Sequence, residues 1–193
     1  MTRFPRVRSR LRSEGGYSLI EMLTVMVIMG VVMASLSAVF VQASNSESDM
    51  NNRFQAQLTA RLALEKVRRE VHCASVATPV GASSSVTITL ASYCKTGSGS
   101  VTWCTRSTGT NRYGLYRVAG STCTGGVKWA DFLVPSSTAT ACSGALCVFN
   151  YTAQSPTSLA TLHVDFPVNV KPSKTVDAYE LVDDIVLRNS SRS

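Results

Sequence analysis

From Tyr17 to Val41 the chain runs for 25 residues with a single charge, Glu21. A helix rises ~1.5 Å per residue, so a run of this length reaches across the hydrocarbon of a bilayer, roughly 30 Å thick. The first expectation is therefore a membrane helix. Arg3, Arg6, Arg8, Arg10 and Arg12 precede it, and basic residues beside the first apolar segment tend to stay on the cytoplasmic side. The bulk of the chain is then exported.

Glu21 separates the ordinary readings of such a run from a special one. A secretory signal peptide also has a basic start and an apolar middle, and Val41-Gln42-Ala43 offers a small-residue cleavage site. Its apolar middle, however, spans only about 7 to 15 residues. A plain membrane anchor or a buried core helix explains the length. Neither accounts for a carboxylate that is costly to bury without a partner.

Gly16 followed by Tyr17-Ser18-Leu19-Ile20-Glu21-Met22-Leu23, behind the basic leader, resembles the class III signal of type IV pilins and type II secretion pseudopilins. The resemblance implies that a prepilin peptidase cuts between Gly16 and Tyr17 and methylates the new amino terminus. It also implies that the apolar segment stays attached as the assembly helix, with Glu21 meeting the amino terminus of a neighbouring subunit. Tyr17 departs from the phenylalanine or methionine that is commoner at the first mature position.

The leader, 1–16, carries five arginines and Glu14, a net of +4 out of the formal +7. The mature chain from Tyr17 onward holds 14 basic and 11 acidic residues, net +3, so the high pI belongs mainly to the leader and says little about partners. After the apolar segment, 17–41, a second helical stretch is expected over 42–73, which lacks glycine and proline. Met50, Phe54, Leu58 and Leu62 recur every four residues and lead into Leu64, Val67 and Val71, the stripe expected to pack on a domain. Glu65, Lys66, Arg68, Arg69 and Glu70 are expected to face water. A helix from about Ser18 to His72 is on the order of 80 Å long.

Beyond Cys73 helical spacing gives way to short β-rich runs: Val86–Tyr93, Val101–Thr105, Tyr113–Val118, Val127–Val134, Leu146–Tyr151, Leu159–Phe166 and Tyr179–Arg188. Lys95–Ser100, Arg106–Arg112 and Pro167–Asp177 read as hairpin loops. The fold class expected is α+β, a long N-terminal helix packed on a mainly antiparallel β-sheet domain over 74–193, one small domain by size. The last two runs also resemble the closing strands of larger minor pilins and pseudopilins.

Cys73, Cys94, Cys104, Cys123, Cys142 and Cys147 all lie beyond the membrane segment, and an even count in an exported domain argues for disulfides. No Cys-x-x-Cys pair is present and His72 and His163 stand far apart, so no metal site is expected. The short loop from Cys142 to Cys147 points to a local pair. Cys73 with Cys94 and Cys104 with Cys123 is the simplest completion of the many connectivities open to six cysteines.

Catalytic motifs are missing: no Gly-x-Ser-x-Gly elbow, no phosphate loop and no His-Glu-x-x-His. Asp183 and Asp184 fall in an apparent strand as solvated face residues. No enzyme activity and no cofactor are expected. A minority reading is DNA capture, because Arg106, Arg112, Arg117 and Lys128 alternate with Trp103, Tyr113, Tyr116 and Trp129 in a stretch without acids. The main expectation is a pilin-like structural subunit, a minor pilin or pseudopilin, whose partners are prepilin peptidase, other pilin subunits and the membrane. A non-polymerising membrane-anchored binding protein and a secreted domain released at Ala43 are the alternatives.

Overall fold

The computed structural model describes residues 16–174 and 178–190. The leader arginines, Asp177 and the last three residues lie outside the described residues. The chain forms two compact units, Met1–Ser48 and Asp49–Ser193. One helix, α1 (Leu19–Cys73), supplies all the described regular structure of the first unit and opens the second. In the first unit its apolar side chains from Leu19 to Val41 are exposed, and the helix is long and apolar enough to cross a membrane.

Eleven strands come after it among the described residues: β1 (Ala74–Thr78), β2 (Gly81–Ser83), β3 (Ser85–Leu90), β4 (Gly99–Gly109), β5 (Arg112–Ala119), β6 (Val127–Leu133), β7 (Ala141–Cys142), β8 (Ala145–Leu146), β9 (Phe149–Thr152), β10 (Thr161–Val168) and β11 (Tyr179–Val186). Nine form one sheet in the order β1-β3-β4-β5-β6-β10-β9-β2, with β11 on the other edge of β10, while β7 and β8 make a separate ribbon. Every pairing is antiparallel. The α+β class and the antiparallel sheet are as the sequence implies.

Several boundaries differ from expectation. The stretch Arg106–Arg112, expected to be a loop, is mostly strand: β4 runs on to Gly109, and only Thr110 and Asn111 turn, Asn111 with a positive φ of 51°. Asparagine is among the few non-glycine residues that accept that backbone. Pro167 and Val168, expected to begin a loop, pair with Glu180 and Tyr179 inside β10. Between β5 and β6 the chain turns at Gly126, φ 80°, where an added Cβ would stand 2.4 Å from the Arg117 carbonyl oxygen. Only glycine fits so close a backbone approach.

The helix face that meets the sheet is the largest departure. Met50, Phe54, Leu58 and Leu62, expected in the core, are exposed, Phe54 by 60% and Leu62 by 53%. Leu64, Val67 and Val71 of the expected stripe are buried, but ahead of them Ala56, Ala60 and Ala63 take the place of the larger residues. At about 100° per residue the two sets lie on opposite sides of the helix. The alanines bury little area each, but they let the sheet come close, and Trp103, Ile88, Leu115, Phe149, Phe166 and Leu162 fill the layer beneath.

Glu70 also departs from expectation, being fully buried rather than in water. It accepts hydrogen bonds from Trp103 Nε1 at 2.8 Å and Arg117 Nε at 2.9 Å, and Lys66 Nζ lies 3.1 Å away. A buried carboxylate persists only when so paired. On the helix's other flank Arg68 reaches Asp183 at 2.9 Å, His72 Nδ1 lies 3.0 Å from the Val186 carbonyl oxygen, and Arg61 donates to Tyr179. Polar contacts thus clamp the alanine face from both sides, to β4 and β5 and to β11.

Three disulfides complete the second unit: Cys73–Cys94, Cys104–Cys123 and Cys142–Cys147. The first ties the last residue of the helix to the connection after β3. The second ties β4 to the connection after β5, and the third closes the β7–β8 ribbon.

Candidate assembly site

The helix begins just past the expected cleavage point. The amides of Glu21 and Met22 donate to the Ser18 carbonyl at 2.9 and 3.2 Å, so Gly16 and Tyr17 precede the first turn and are exposed. Glu21 sits in the first turn, where the unpaired amides of a helix N-terminus favour negative charge. Among the described residues no side chain pairs with it. A new ammonium at Tyr17 would lie only four residues away in sequence.

In the second unit, Met50, Phe54, Leu58 and Leu62 present an exposed apolar row along α1. Sequence reasoning found these residues but gave them the wrong role, because size and spacing alone do not say which of two apolar faces meets the domain. The true docking face was signalled by Ala56, Ala60 and Ala63, whose spacing of four and three residues follows one side of a helix.

The cations offered for DNA are each engaged within the chain. Arg106 stacks 3.5 Å over the Tyr116 ring and donates to the Gly125 carbonyl at 2.6 Å. Arg112 lies over Phe132 and donates to the Val170 carbonyl. Arg117 binds Glu70, and Lys128 pairs with Asp131 at 2.6 Å, which holds its ammonium above the ordinary lysine range. Of the aromatics, Trp103 is buried in the core and packs on Trp129, with ring centroids 5.9 Å apart. The residues are neighbours on β4, β5 and β6, but their charges and rings mostly face one another. His163 contacts Asp184 at 2.7 Å.

Residues 11–37 match the family model described as the prokaryotic N-terminal methylation motif. The match takes in Gly16, Tyr17 and Glu21, and it ends within the apolar run. No curated protein and no solved structure matches the chain. The protein thus carries a type IV pilin-like prepilin signal at the head of a long helix, with an antiparallel β domain behind it. Such a motif implies processing by a prepilin peptidase, association with other pilins and a structural role rather than an enzymatic one.

Proposed function

We propose that this chain is a minor pilin or pseudopilin, cut after Gly16 and built into a type IV pilus or secretion pseudopilus through α1. The observation that carries the reading is the uncovered apolar surface of α1, the run 19–41 in the first unit and the row Met50, Phe54, Leu58 and Leu62 in the second. Surface of that size and regularity is costly in water and serves a bilayer first and neighbouring helices afterwards. Before assembly the leader stays cytoplasmic and the β domain is exported, where its disulfides persist.

Glu21 would set the register. A carboxylate in an apolar bundle is disfavoured until a cation reaches it, and the amino terminus of an adjacent subunit supplies one. Glu21→Val is expected to leave insertion, cleavage and the disulfide domain intact and to keep the protein out of sheared surface filaments or the pseudopilus. Mutant protein entering filaments as efficiently as wild type would refute the register role. N-terminal sequencing tests the processing: a mature chain starting at Tyr17 supports the proposal, whereas one starting at Ser44 or retaining the leader removes it.

A further inference from the structure

Asp165 of β10 is 3% exposed, and its Oδ1 has no hydrogen-bond partner. Its Oδ2 meets the hydroxyl of Thr138, which also lies 2.9 Å from Oε1 of Glu180 on β11 and 3.0 Å from the Ser136 hydroxyl. Thr138 belongs to the segment 135–140 between β6 and β7. That segment folds on Ser136, whose hydroxyl accepts the amides of Thr138 and Ala139 and whose own amide donates to the Ala139 carbonyl.

The protons available around the Thr138 oxygen decide how these groups are charged. Ser136 accepts two amides, so its own proton is free for Thr138; Thr138 then has one proton to give and two carboxyl groups to receive it. A hydroxyl has one donor and two acceptor positions. All three contacts are satisfied only if one of the two carboxyl groups is itself protonated and donates to Thr138. Two carboxylates facing one hydroxyl, one of them buried with an orphaned oxygen, is the costly alternative.

We propose that Asp165 and Glu180 share one proton across the Thr138 hydroxyl, so that residues 135–140 form a latch that is held when the proton is bound and released when it is lost. Burial pushes the Asp165 carboxyl above its ordinary range, the hydrogen bond from Thr138 pulls it back, and the nearby Glu180 carboxyl adds to the rise; the net rise puts the proton on Asp165. His163, on the same strand, works the other way but is engaged by Asp184. The segment 135–140 carries no titratable side chain. Tyr151, the titratable residue of β9, is raised further by burial and stays neutral throughout the carboxyl range.

The latch governs access to space on both sides. Thr138, Thr140 and Asp165 wall a cavity of about 200 Å³, and Pro135, Ser136 and Glu180 wall another of about 480 Å³. Ala139 is fully buried between those contacts, so releasing the segment uncovers it and opens one cavity toward the other. The direction with pH is fixed. A carboxyl whose folded midpoint is raised binds its proton more tightly closed than open, so closure is complete below the ordinary carboxyl range and is lost as pH rises through the raised midpoint.

Amide hydrogen exchange on the full chain in detergent micelles, corrected for the intrinsic rate, tests this at Ala139. Protection should fall as pH rises, by about tenfold for each unit by which the folded Asp165 midpoint exceeds the ordinary one. Asp165→Asn, which keeps a donor for Thr138 and cannot ionise, should hold protection level across the same range. Equal pH dependence in mutant and wild type, or none in wild type, overturns the latch. Should the mutant fail to fold, the side-chain carbon-13 titration of Asp165 in wild type decides alone. An Asp165 midpoint above the ordinary range supports the bound proton, and an ordinary one refutes it.

Discussion

Replacing Glu70 with glutamine tests whether the helix is held to the sheet by a buried charge. The carboxylate is fully buried, while the side chains of Arg117 and Lys66 are 22% and 20% exposed. Glutamine keeps the volume and an acceptor for Trp103, but it removes the charge facing both cations. A hydrogen bond to a charged group contributes ~1.5–3 kcal/mol and a neutral one nearer ~1 kcal/mol. Losing the charge toward two cations, both partly screened by solvent, should cost about 3 kcal/mol. For a unit of this size each kcal/mol moves Tm by roughly 2–4 °C, which makes the expected drop about 6–12 °C. Thermal unfolding of the full chain in detergent, followed by tryptophan fluorescence, reads it, since Trp103 and Trp129 both belong to this core. The double replacement Glu70→Leu with Arg117→Leu should be milder than Glu70→Leu alone, because an apolar pair leaves no stranded Arg117 charge. A Glu70→Gln protein melting within about 2 °C of wild type, the shift of less than ~1 kcal/mol, would show that the cluster follows the packing rather than holding it.

Leu58→Ala and Phe54→Ala should change the stability of the domain by no more than ~0.5 kcal/mol, as expected of exposed positions, while reducing recovery in filaments. Ala60→Leu, at a fully buried position, should destabilise by ~1–3 kcal/mol through overpacking in the same melts. Replacing Cys73 and Cys94 by serine should cost ~3 kcal/mol and replacing Cys142 and Cys147 ~2 kcal/mol, since the first pair closes a loop of separation 21 and the second one of 5; denaturant titrations without reductant would rank them. Asp49 is held below its ordinary range, first by Lys171 at 2.6 Å and then by Arg53. Its tie is therefore complete above the ordinary carboxyl range and lost as pH falls through the depressed folded midpoint. Asp49→Asn should abolish that acid-side loss of amide protection at the start of the second unit.

Much of this architecture is legible in the residues themselves. Val86, Ile88 and Leu90 alternate with threonines and alanine, and that period of two is enough to place β3. β1 was not legible, because Ala74–Thr78 carries small residues directly after a helix and owes its pairing to β3 rather than to pattern. β7 and β8 are two residues each, too short for any periodicity, and the ribbon is closed by Cys142–Cys147. The prepilin-type segment was the clearest signal, since it needs a basic leader, glycine, apolar length and one glutamate together. Glu70 and Asp165 were not legible. A lone acid on a helix or strand looks solvated until its partners are known, and those partners are 33 and 47 residues away for Glu70 and 27 for Asp165.

The misplaced helix stripe has the same origin and explains how the second unit can serve two contacts at once. A hydrophobicity ranking favours Met50, Phe54, Leu58 and Leu62 over alanines, yet a twisted sheet approaches a helix more closely over small side chains and gains contacts along the whole interface. With Ala56, Ala60 and Ala63 given to the sheet, the large residues remain on the opposite side for a separate partner. A helix or lipid resting on that row need not disturb the domain, because the two faces share no side chain. Effects on filament entry from Leu58 and on folding from Ala60 should then combine additively, as for sites without common partners. A Leu58→Ala/Ala60→Leu double mutant less stable than the single changes predict would mean that the row supports the domain as well, and that the division between the two faces is wrong.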